Sequence, residues 1–386
     1  MEVFMRVVPL VVLTAASAVI PAWAQAGGER PPQHAPVIIP GPGPDGADPV
    51  EPMTFQVPDA QAACDGEAVT PAYSEILPAR EGMRLAGPDL VLAFATAPDG
   101  RVTDLRPVGA PPATEAKLQA AFAAWRFEPR ARADCRLTVT WRTVALAEAE
   151  TPDLLNYFAV DRRTGRLRDA VARRLGGDGA DCGERWGGRR PAVAAYPDFL
   201  RGRRPPPGGS SWTVVRWNIA ADGQASQVEI LGSSGDADLD AEGLRAVSET
   251  RMRPGPARTG CVYNFYRTGE TLPAPPMPAQ EDRPDPLAAC PEAMDERFRV
   301  RPRLVFPEVF RQRAIEGWAL VRFDVAPWGA IGNAAVIEAQ PAALFGEDAL
   351  RLVRASQATP GFEAGVRCVV PVRYRIEAGD DTSAPD

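Results

Sequence analysis

Three stretches of the chain alternate apolar and polar residues, and each is broken by a turn at a similar place. Leu90, Leu92, Phe94 and Thr96 fall on one side of the first stretch; Thr213, Val215, Trp217 and Ile219 do so in the second. In the third the set is Ala319, Val321, Phe323 and Val325. A period of two puts each set on one face of a sheet. The positions between include Arg216, Asn218, Arg322 and Asp324, which read as a solvated opposite face. The turns fall at Asp99-Gly100, Asp222-Gly223 and Trp328-Gly329, and Asp-Gly between alternating runs is a strong hairpin signal. Second runs follow at 102–108, 225–231 and 331–337.

A helical pattern comes next, carried by Leu239, Leu244 and Val247 in the second stretch and by Leu344, Leu350 and Val353 in the third. A last strand starts at a cysteine each time, over 137–144, 262–266 and 369–376. Each unit is predicted to run helix, strand, strand, helix, strand. The fold class is α+β: three small tandem domains, each an antiparallel sheet with two helices on one face.

The segments between fix the boundaries. Residues 1–24 read as a signal peptide, 25–57 as a Pro/Gly-rich linker, 58–148 as domain 1 and 149–180 as a connector. Domain 2 follows at 181–270, a Pro-rich linker at 271–288, domain 3 at 289–378 and an acidic tail at 379–386. The connector carries Leu155, Phe158, Val160, Leu167, Val171 and Leu175, compatible with a helix or a strand–helix piece. At the start, Arg6 precedes an apolar run over 7–24 that ends in Ala22-Trp23-Ala24, the form of a cleavable secretory signal. Glu2 fits better if translation starts at Met5. The alternative is an uncleaved anchor, although Pro9 and Pro21 interrupt the run.

Six cysteines fall one pair to a unit, which points to disulfides Cys64–Cys135, Cys182–Cys261 and Cys290–Cys368 and to an oxidising compartment. Six cysteines allow fifteen pairings, so the repeat alone selects this one. The net charge of −7 argues against nucleic acid as a partner. His34 is the only histidine and sits in the Pro/Gly-rich stretch. A serine triad and a buried histidine metal site are thereby excluded, and no C-x-x-C or phosphate-cradling glycine motif occurs. No catalytic residue, cofactor or metal is expected. Asp236-Ala237-Asp238-Leu239-Asp240 opens like a calcium loop but has Ala241 and Val247 where Gly and a carboxylate are needed, so it reads as a helix cap. Trp217 reads as core; Trp212 and Trp328 read as surface.

The third unit, with Phe306-Pro307-Glu308, Ile315-Glu316-Gly317 and the strand over 318–325, resembles the C-terminal domain of TonB. The second keeps Tyr196-Pro197, Asp222-Gly223, Ser233-Ser234-Gly235 and Leu239-Asp240; the first keeps Asp99-Gly100-Arg101-Val102 and Trp125-Arg126-Phe127-Glu128-Pro129. Three divergent copies result, over most of 60–145, 180–270 and 290–378. The resemblance implies a periplasmic protein that binds envelope proteins, outer-membrane receptors among them, by adding a segment to a sheet edge. The leading expectation is a non-enzymatic adaptor. The alternatives are an anchored TonB-type energy transducer, which alone would involve the membrane, and a structural scaffold that self-associates or contacts the cell wall. Independently of the family, the last strand of the third unit is an edge candidate, and Pro371 suits an edge; the alternative is a strand that is interior or covered by a neighbouring domain. The candidate residues are Val369, Val370, Val372, Arg373, Tyr374, Arg375 and Ile376, with Trp328.

Overall fold

Each alternating run forms a hairpin, and each hairpin is extended by the strand that begins near the second cysteine. The computed structural model describes residues 53–81, 89–109, 115–160, 164–182, 190–279, 290, 291, 294–363 and 366–376. The expected signal segment, most of the first linker and the acidic tail lie outside the described residues.

The first repeat contains β1 (Thr54–Cys64), β2 (Glu67–Ala68), β3 (Arg80–Glu81), β4 (Leu90–Thr96), β5 (Val102–Pro107), α1 (Ala116–Ala123) and β6 (Arg132–Ala145). Its sheet runs β2-β1-β6-β4-β5, with β3 also on β1. The expected opening helix is replaced by a strand, and that strand begins inside the segment read as linker. β1 lies antiparallel to β6 along its whole length, from Thr54 opposite Ala145 to Cys64 opposite Cys135. The cause is period-two burial on both faces: Phe55 and Val57 enter one core, Ala62 and Cys64 another.

The connector folds as two helices, α2 (Thr151–Ala159) and α3 (Arg166–Gly176). The second repeat follows with β7 (Pro191–Val193), β8 (Ser210–Ile219), β9 (Ala225–Ser233), α4 (Ala237–Glu249), β10 (Arg251–Met252) and β11 (Arg258–Thr268), its main sheet ordered β11-β8-β9. Val215, Trp217 and Ile219 pack with Leu239, Ala246 and Val247 of α4. The opposite face is not solvated throughout. Trp212 and Val214 are 7% and 0% exposed because α2, α3 and the end of the first sheet cover them. Trp212 is therefore core and not surface. Arg216 and Asn218 stay at the margin, bonded across the hairpin to Glu229 and Gln227.

The third repeat contains β12 (Phe298–Val300), α5 (Glu308–Arg311), β13 (Gly317–Val325), β14 (Ile331–Gln340), α6 (Ala343–Ala355), β15 (Gln357–Ala358) and β16 (Val366–Tyr374). Its main sheet runs β14-β13-β16. Ala319, Val321, Phe323 and Val325 are buried in a core continuous with that of the first repeat. Here too half the outer face is covered: Trp318, Leu320 and Val369 pack with Ala274 and Met277 of the Pro-rich segment. The Trp318 indole N–H donates to the Pro275 carbonyl at 2.8 Å.

One backbone device recurs in all three repeats. Gly100, Gly223 and Gly329 turn the hairpins at φ 81, 90 and 88. Four residues later Asp104, Gln227 and Asn333 adopt φ 51, 52 and 50, beside a shift in strand register each time. Phe94, Trp217 and Phe323 stand opposite Cys135, Cys261 and Cys368. The three expected disulfides are all formed, with sequence separations of 71, 79 and 78.

Candidate protein-binding edge

β16 ends its sheet. It pairs with β13 from Val325 opposite Val366 to Gly317 opposite Tyr374, and among the described residues no strand lies on its other side. Pro371 opposite Leu320 has no N–H and fits an edge strand with its nitrogen turned outward. Amides two residues apart share a direction, so Val369 and Arg373 turn theirs outward as well.

The side chains named from the sequence divide by face. Val370, Val372 and Tyr374 are buried in the core under α6, and the Tyr374 hydroxyl donates to the Phe345 carbonyl at 3.0 Å. Burial pushes the Tyr374 phenol well above its ordinary pKa, with Arg351 pulling weakly the other way. Val369 is buried against the Pro-rich segment. The Ile376 N–H donates to Glu316 at 2.9 Å. Arg373 and Arg375 are exposed and have no acidic partner among the described residues. Trp328 is 67% exposed at the tip of the β13–β14 hairpin. That tip adjoins the Val366 end of β16, so Trp328 and Arg373 mark opposite ends of the strand.

The other repeats treat the equivalent strand differently. In the first, β1 occupies the outer side of β6. In the second, the Asp181 and Cys182 amides bond the Thr259 carbonyl at the start of β11, and the Asp181 carboxylate accepts from the Thr259 N–H.

Sequence reading missed the junction that joins the repeats. Glu75 of the first accepts from the Ser210 N–H of the second at 2.5 Å and from the Ser210 hydroxyl at 2.9 Å. Arg313 of the third reaches the same carboxylate at 2.5 Å, and the Tyr73 hydroxyl donates to it at 2.9 Å. Burial and the adjacent carboxylate raise the Tyr73 pKa. For Arg313, burial is the largest influence and works against the charge, but Glu75 together with Tyr266 and Tyr73 outweighs it and the pKa rises. A second tie joins Asp104 to Gln340, with the amide donating at 2.6 Å. Periodicity carries no signal for such contacts, because they depend on how finished repeats meet.

Asp236 caps α4 as the sequence indicated, accepting from the Leu239 N–H at 3.1 Å. A cavity of about 510 Å³ lies nearby, with Glu75, Arg203, Trp212 and Asp236 in its wall. Asp236 is committed to Arg267 and to its cap, and Glu75 to the junction. Among the described residues no cluster of His, Cys, Asp or Glu is placed to hold a metal, and no helix is long and apolar enough to cross a membrane.

The fold is thus a tandem of disulfide-bonded α+β units, and β16 carries no strand on its outer side among the described residues. Residues 211–265 and 302–376, in the second and third repeats, match the family described as Gram-negative bacterial TonB protein C-terminal. The family is periplasmic, transport-related and non-enzymatic in kind. The first repeat lies outside the matched segments. No curated protein matches the chain.

Proposed function

We propose that this chain is an exported, non-enzymatic adaptor of the bacterial envelope that binds other envelope proteins by strand addition to β16. The supporting observation is that the nine-residue strand β16, paired with β13 on one side, has no strand on its other side among the described residues. Main-chain donors and acceptors left open along an edge pair readily with an extended segment, and flanking side chains select it. The family match favours partners at the outer membrane.

The test is Arg373→Pro. It removes an outward N–H while leaving the β13–β16 ladder in place. A photo-crosslinker at position 375 is expected to capture an envelope protein in cells, and Arg373→Pro is expected to abolish that capture while the unfolding midpoint holds. Undiminished capture by the variant would refute the reading.

A further inference from the structure

The outer face of the third sheet repeats a feature of the second. Cys261 stands opposite Trp217 as Cys368 stands opposite Phe323. In that alignment Trp212, Val214 and Val262 correspond to Trp318, Leu320 and Val369. Both trios are buried, but their covers differ. In the second repeat α2 and α3 close over the trio with Phe158, Val171 and Leu175, which are themselves core. In the third, the cover among the described residues is a proline-rich strap, through the half-buried Ala274 and Met277, with Ile337 alongside.

The strap's sequence dictates its form. Prolines occupy 273, 275, 276 and 278, so Leu272, Ala274, Pro275 and Met277 each precede one. Proline fixes its own φ and holds the residue before it extended, which favours polyproline II over 273–278. At three residues per turn Ala274 and Met277 fall on one side, and these two meet the sheet. Between them the Pro275 carbonyl accepts from the Trp318 indole N–H at 2.8 Å. Aromatic-lined grooves dock proline-rich segments in this way, because a preformed polyproline II helix loses little entropy on binding.

We propose that the outer face of β13 and β16 is a recognition groove for polyproline II segments, and that the strap is its displaceable occupant in cis. The ligand is a proline-rich stretch of another protein, with apolar side chains three residues apart and a prolyl carbonyl between them. Four strap residues lack an N–H, and the strap forms no ladder with the sheet. Its flanks are fixed independently: Leu272 by main-chain bonds with Ala314 and Glu316, Cys290 by its disulfide. The strap can therefore lift without breaking the sheet. A second copy gains nothing by exchanging straps, since each tethered strap competes at high effective concentration. The groove is on the face of the sheet and not its rim, so the proposal stands apart from strand addition.

The probe is a fluorescently labelled peptide with the sequence of residues 273–279, titrated by anisotropy into the intact chain. Ala274→Asp with Met277→Asp loosens the strap, and this variant is expected to bind the probe at least about tenfold more tightly than the parent. Adding Trp318→Phe is expected to weaken that binding about threefold to tenfold. Absent or unchanged binding by the loosened variant would overturn the groove, and equal binding of a probe with alanine at every proline would overturn its polyproline II chemistry. The unmodified chain gives an independent check. Its Trp318 indole proton is expected to exchange at least about a hundredfold faster than the β13 amides, through local opening of the strap. Exchange of that proton only with global unfolding would show a strap that does not leave, and would overturn the proposal.

Discussion

Glu75 gathers donors from all three repeats, and its position sets how they are held. The Arg313 and Glu75 side chains are 8% and 7% exposed, so removing one leaves the other charge buried. Glu75→Ala is expected to destabilise the chain by about 3–5 kcal/mol, read from urea unfolding; a loss under about 1 kcal/mol would contradict the junction's role. Glu242 supplies the clearest pH effect. Arg245, the Asp198 N–H and Arg201 hold its carboxyl down from 4.5 to about 2. A carboxylate depressed on folding adds stability that is complete above pH 4.5 and lost as pH falls towards 2. Glu242→Gln should remove that acid sensitivity, so its stability should change less than the parent's between those pH values. None of these residues stands out in the alternating pattern. A lone Glu in a loop gives no sign that a serine and an arginine from other repeats will converge on it.

At the scale of elements, the hairpins were readable and the coverings were not. The runs around Phe94, Trp217 and Phe323 alternate cleanly, and each lies on the core face of a central strand. Trp212 reads as surface because its sheet face carries Arg216 and Asn218 further along; only the placement of α2 and α3 buries it. The Pro/Gly-rich segment read as linker to residue 57 takes in the first four residues of β1, and Pro58 follows them inside the strand, where Pro is tolerated if its nitrogen faces away from the ladder. Gly329 has φ 88, and a Cβ there would meet the Ala358 carbonyl. Gly329→Ala is therefore expected to cost more than about 1 kcal/mol by thermal or urea unfolding, and a neutral result would mean the turn is formed differently. Trp328 beside it is exposed and should behave in the opposite way. Trp328→Ala is expected to shift stability by less than about 0.5 kcal/mol, with circular dichroism melts as the check.

Across the whole molecule, the last strands of the three disulfide-bonded units are bordered in three ways. β6 is completed by β1, β11 is tied at its start to Asp181 and Cys182, and β16 has no outer strand among the described residues. The shared core of the first and third repeats and the Glu75 junction hold β16 on a preorganised base. Preorganisation reduces the ordering cost of capturing an extended segment. Disulfides close loops of 71 to 79 residues, and each should contribute roughly 4 kcal/mol in the chain-entropy model. Full reduction is accordingly expected to lower the urea midpoint sharply. The most direct measurement is residue-resolved amide exchange of the intact chain. Open-edge binding requires the Val369 and Arg373 amides to exchange fast while Val370 and Val372 exchange slowly. Slow exchange at Val369 and Arg373 would contradict it.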